Sequence, residues 1–160
     1  MHPIDTTLAL ALTVAALAGL ATPAAEAQTL TATLDFATAD TIRDRCLAHA
    51  GRAGVTVAVA VFDQGGNLVS FARDRTTPAA AEMALWKGRS AAIYLASTRE
   101  TGTWNMATAP LVATVEGGVP LFTREGVGIG GVGVSGAPPE FDAACGAAGA
   151  EAAGLRVTPP

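Results

Sequence analysis

Aromatic side chains are scarce in this sequence, at 5% of its 160 residues, and charged residues make up only 15%. With a formal charge of −4, the chain offers neither stacking platforms nor the basic surface that nucleic acids and anionic membranes require. Cysteine is limited to Cys46 and Cys145, and histidine to His2 and His49. There is no H-E-x-x-H and no paired C-x-x-C, so the common zinc-site patterns are missing. No internal repeat and no linker divide the chain. The longest apolar run, Leu8 to Ala21 (LALALTVAALAGLA), is 14 residues long and too short to cross the hydrocarbon core of a bilayer.

That run has another reading. It is followed by TPAAEAQ, where Ala25 and Ala27 occupy the small-residue positions of an A-x-A cleavage site. Residues 1–27 are therefore expected to be a signal peptide, although MHPIDTT before the run carries no Lys or Arg. An uncleaved anchor is the alternative. Cleavage leaves residues 28–160, a length suited to one domain with one core, and a formal charge of −2 once Asp5 and Glu26 are lost. The product is expected in the periplasm or the medium, with no membrane association after processing. In such a compartment Cys46 and Cys145 are expected to form a disulfide, with two buried thiols as the alternative.

Along the chain, FATADTIRDRCLAHAGR (36–52) carries Ile42, Cys46 and Leu47 on one helical stripe, with Asp35 or Thr38 as cap. In VTVAVAVF (55–62), valines alternate with alanines and both faces are apolar. This predicts a central strand with a helix packed closely over its alanine side. DQGGN (63–67) is a turn into a second strand, LVSFAR (68–73). Thr76-Thr77-Pro78 opens a helix to about Ser97, in which Met83, Trp86, Ser90 and Ile93 recur at helical spacing. Residues 99–116 read as a loop with a short helical turn. Two further strands, 119–122 and 127–134, flank the turn TREG, and a helix runs from Pro138 to about Gly154. The order α-ββ-α-ββ-α predicts an α+β fold, an antiparallel sheet of two hairpins with packed helices.

The segment GVGIGGVGVSG contains Gly128, Gly130 and Gly133 at the G-x-G-x-x-G spacing of a dinucleotide site. Such a site needs a strand that turns directly into a helix and a parallel strand after it. Here the strand follows a hairpin turn and the helix waits until Pro138, so the Rossmann reading fails. A bulge at Gly130-Gly131 is expected instead, bringing Val127, Ile129, Val132 and Val134 onto one face. Bare glycines also let another backbone or a flat ligand approach the sheet closely. The amides of Ser135 and Gly136, ahead of the helix, are placed to accept an anion such as a carboxylate.

DQGGNLVSFAR (63–73), WKGRSAA (86–92) around Lys87, GGVP (117–120), GVGVSG (131–136) and Asp142, taken in order, resemble the GlcG/HbpS-type haem-binding family, itself similar to the C-terminal domain of PduO-type adenosyltransferases. The resemblance covers roughly residues 36–153. It implies a small α+β protein that forms homo-oligomers, is secreted in some members and binds haem. The sequence departs from the pattern at Gly88, where Ala is usual, and at Asp74 to Thr77, both expected near the ligand face.

A haem site needs an axial ligand, apolar walls and cations for the propionates. His49 is the one histidine left after processing and the first candidate for the axial position, with Met83, Met106 and Tyr94 behind it. Arg73, Lys87 and Arg99 are candidates to meet carboxylates, or else ordinary ion-pair partners, for example Arg73 with Asp142. Gly133 to Ala137 misses the G-x-S-x-G spacing by one residue, and a serine triad is set aside. The sequence thus points to ligand capture or sensing of haem, a related tetrapyrrole or another small anion. The second reading is a cofactor-free acid–base enzyme using Asp63, Arg73, Lys87 and Asp142.

Overall fold

The structure, a computed structural model, describes residues 31–106 and 108–159. The predicted signal peptide lies outside them. Four strands, β1 (Ala58–Asp63), β2 (Leu68–Arg73), β3 (Gly118–Phe122) and β4 (Gly128–Ser135), form one antiparallel sheet in the order β2-β1-β4-β3. Helices α1 (Phe36–Arg52) and α4 (Pro139–Ala152) pack on one face, and α2 (Pro78–Tyr94) packs on the other. A short α3 (Thr98–Thr101) supplies the helical turn expected between α2 and β3. The expected α+β class and element order are those observed.

Local chemistry sets the helix ends. Asp35 caps α1 by accepting from the Thr38 amide at 2.7 Å. Thr77 caps α2 by accepting from the Ala80 amide at 3.1 Å, with Pro78 in the first turn. β1 starts at Ala58, three residues later than its apolar run, and α2 stops at Tyr94, where Leu95 turns left-handed (φ 48°).

The two faces of β1 pack differently. Val57, Val59 and Val61 join Val132, Val134, Leu121 and Ile129 under α1 and α4. That layer is closed by the Cys46–Cys145 disulfide, whose Cα atoms lie 4.9 Å apart. Ala58, Ala60 and Phe62 instead meet Ala81, Ala84 and Ala92 of α2. The stripe of α2 that faces the sheet is thus its small residues, not Met83, Trp86 and Ile93. The reason is the glycines of β4. A Cβ on Gly133 would collide with the Ala84 carbonyl and the Gly88 amide, and one on Gly131 with the Ala92 amide, so α2 rests directly on bare backbone.

A bulge is present, but one residue before the expected place. Leu121 pairs with Gly130 and Phe122 with Gly128, which leaves Ile129 as the extra residue. Ile129 thereby joins Val132 and Val134 in the core, whereas Val127 lies before the bulge and is exposed. Both neighbours of β4 run antiparallel to it, as the rejection of a dinucleotide site required.

Candidate functional site

Lys87, Ser135 and Asp142 are brought together, but under the surface. Lys87 and Asp142 are 2% and 1% exposed, and the Lys87 ammonium lies 3.3 Å from Asp142 Oδ2. It also donates to the Val134 carbonyl at 3.1 Å and approaches Ser135 Oγ at 3.5 Å. Those three acceptors match the three protons of an ammonium. The other carboxylate oxygen of Asp142 accepts from the Ala137 amide at 3.1 Å. The strand-to-helix corner therefore does receive a carboxylate, and it is the chain's own. Gly117 (φ 127°) makes the room: a Cβ there would lie 2.8 Å from Lys87 Nζ and 2.7 Å from the Val134 carbonyl.

The pair is electrostatically costly to bury. Burial pushes the Asp142 carboxyl above the ordinary aspartate range, against the opposing pull of Lys87 and of the Ala137 and Gly136 amides. With their polar atoms directed at each other, the two residues tie α2, the end of β4 and the start of α4 together. The suggested pairing of Arg73 with Asp142 is overturned: Arg73 is exposed at the end of β2, opposite Ala58. Arg99 is also exposed and pairs with Glu116 at 2.7 Å. Gly88, expected near a ligand, lies on the sheet-facing side of α2, where a Cβ would sit 2.8 Å from the Ala60 carbonyl.

The axial-ligand candidates scatter. His49 packs against Phe141 of α4, with ring centroids 5.3 Å apart and the planes tilted, in the layer across the sheet from α2. Tyr94 donates its hydroxyl to the Pro110 carbonyl at 2.5 Å, and Met106 is 49% exposed on the segment after α3. Met83 is half-buried on α2. Asp63 accepts from the Asn67 amide at 2.9 Å and shapes the β1–β2 turn.

A surface cleft of about 360 Å³ lies elsewhere, along the outer side of α2. Glu82, Leu85, Trp86 and Arg89 line it at i, i+3, i+4 and i+7, one stripe of the helix, and Leu111 forms the facing wall. Leu111 is 47% exposed in a left-handed conformation (φ 61°). Two bonds from α2 hold it there: Tyr94 Oη to the Pro110 carbonyl, and the Ala113 amide to Ser90 Oγ at 2.9 Å. Arg89 lies over the Phe62 ring at 5.2 Å and, among the described residues, makes no ion pair. The cleft thus joins an apolar floor to a carboxylate at one end and, at the other, a guanidinium with no ion pair among the described residues. Sequence reasoning passed over Glu82, Leu85, Arg89 and Leu111. The spacing of the first three with Trp86 was a usable signal, whereas Leu111, 22 residues beyond Arg89, carried none.

Residues 34–151 match the family model described as haem degrading protein HbpS-like. The chain belongs to the HbpS-like family. It is 39% identical over 87 residues to protein GlcG of Escherichia coli K12, a stretch covering 50% of this chain and 64% of GlcG. This chain thus spans less than two thirds of the length of the curated relatives it matches. The crystal structure of HbpS superposes with a TM-score of 0.70 at 30% identity, over 78% of this chain and 93% of HbpS. That of a PduOC complex with haem superposes with a TM-score of 0.72 at 23% identity, over 79% and 99% of the two chains. At that identity the second likeness concerns the fold.

Proposed function

We propose that this HbpS-like protein is an exported protein that binds haem or a related tetrapyrrole in the α2 cleft, for capture or sensing. The observation that carries the proposal is Arg89, which makes no ion pair among the described residues, at one end of an apolar floor made by Leu85 and Trp86. A tetrapyrrole presents a flat apolar body with its acid groups along one edge. Leu85, Trp86 and Leu111 fit the body, and Arg89 fits an acid group through charge-assisted hydrogen bonds. The haem-complexed PduOC structure and the family description support the choice of ligand. The signal-like segment 1–27 supports export, and assembly as a homo-oligomer is carried over from the family resemblance in the sequence.

The lining of the cleft offers apolar contact for a ring and no usual ligand for haem iron. None of its five lining residues is a His, Cys, Met or Tyr, the side chains that hold haem iron. Haemin titrated into the purified protein is expected to quench Trp86 fluorescence and shift the Soret band at micromolar concentration. Trp86→Ala should weaken that binding about tenfold, and His49→Ala should leave it unchanged. No spectral change up to about 50 µM haemin would reject the reading. Amino-terminal sequencing of the exported product should begin at Gln28.

A further inference from the structure

The cleft and the candidate iron ligands occupy different places, and this separation indicates what the site recognises. We infer that the α2 cleft selects its ligand by a flat apolar body with a carboxylate at one end, so that iron-free tetrapyrroles bind as well as haem. The inference rests on the placement of the tetrapyrrole in this cleft. His49 lies across the sheet from α2, packed on Phe141. Cys46 and Cys145 are bonded to each other, and the Tyr94 hydroxyl is committed to Pro110. Neither Met83 nor Met106 lines the cleft. Among the described residues, the cleft lining holds none of the His, Cys, Met or Tyr side chains that ligate haem iron.

What remains is a charge gradient along one helix stripe. Glu82 and Arg89 are seven residues apart, which sets them about 10 Å from each other along the axis. Leu85 and Trp86 lie between them. Glu82 repels a second acid group at its own end, and Arg89 attracts one at the other. A porphyrin with both propionates on one edge satisfies that polarity in one orientation, acid edge toward Arg89 and apolar edge toward Glu82. A flat ligand with acids at both ends does not. The opposite wall is preset, because Leu111 is held between the two hydrogen bonds from Tyr94 and Ser90.

The test compares haemin with iron-free protoporphyrin IX, each titrated into the full chain and followed by tryptophan fluorescence. Both dissociation constants are expected to agree within about threefold. Arg89→Ala should weaken both by about tenfold, the loss of one charge-assisted hydrogen bond, with Arg89→Lys recovering part of it. Glu82→Gln should admit coproporphyrin, which carries acid groups around the whole ring, better than the parent does. Arg73→Ala, which alters an exposed cation away from the cleft, should change neither constant. Haemin binding at least tenfold tighter than the iron-free ring would overturn the inference and leave haem binding standing. Failure of both ligands to bind would overturn the function proposed above and this inference with it.

Discussion

Replacing Lys87 by Met keeps most of the side-chain volume and removes the ammonium that neutralises Asp142. Asp142 is 1% exposed, so its carboxylate would keep the Ala137 amide as partner and lose its counter-charge. Breaking a buried pair from one side costs about 3–5 kcal/mol. Against a total stability of about 5–15 kcal/mol, that is a large fraction. At roughly 4 °C per kcal/mol for a domain of this size, the midpoint of thermal unfolding should fall by about 12–20 °C. The cost should also depend on pH. A carboxyl whose folded pKa is raised contributes stability that is fully present below its unfolded value, near 3.8, and is lost as pH rises through the folded value. Without Lys87 that folded value rises further. The variant therefore regains stability on acidification sooner than the parent, and the gap should narrow as pH falls toward the unfolded value. Urea unfolding of the parent, Lys87→Met, Asp142→Asn and the double variant would measure it, with the double variant less destabilised than the two single costs added together. A cost under about 1 kcal/mol, or one that does not shrink on acidification, would refute the assignment of Lys87 and Asp142 as a buried tie.

Two further outcomes follow from the packing. Reduction of the Cys46–Cys145 bridge, which closes a sequence separation of 99 residues, should cost about 2–5 kcal/mol. Identical peptide maps with and without reductant would show that the bridge is not there. Gly133→Ala should cost about 1–3 kcal/mol, because its Cβ meets the backbone of Ala84 and Gly88. Gly51→Ala, where a Cβ meets nothing within 4 Å, should stabilise α1 by about 0.5–1 kcal/mol. Equal effects at the two glycines would remove the claim that α2 rests on bare strand.

The two kinds of glycine also mark where the sequence was readable. Local signals placed the elements: Asp35 and Thr77 cap helices through contacts three residues away, and the alternation in VTVAVAVF sets both faces of a central strand. The chain alone also excluded a dinucleotide site, because a hairpin turn before the glycine run makes β4 antiparallel whatever surrounds it. Alanine contributes little to a hydrophobic stripe, so the face of α2 that meets the sheet was hidden behind Trp86 and Ile93. Only the glycines opposite it, seen in three dimensions, explain why Ala84 and Gly88 turn inward.

The pairing of charges was the other matter left to tertiary structure. Sequence spacing cannot distinguish Arg73 from Lys87 as the partner of Asp142, because the choice depends on which cation the sheet's twist and the gap at Gly117 carry inward. In the same way, one stripe of α2 could be written down from its heptad-like spacing. That Leu111 closes it into a cleft depends on a long connection held by Tyr94 and Ser90. Elements, caps and strand direction arise from interactions a few residues long and are determined by the sequence alone. The buried ion pair and the α2 cleft arise from residues tens of positions apart, and only the folded chain decides them.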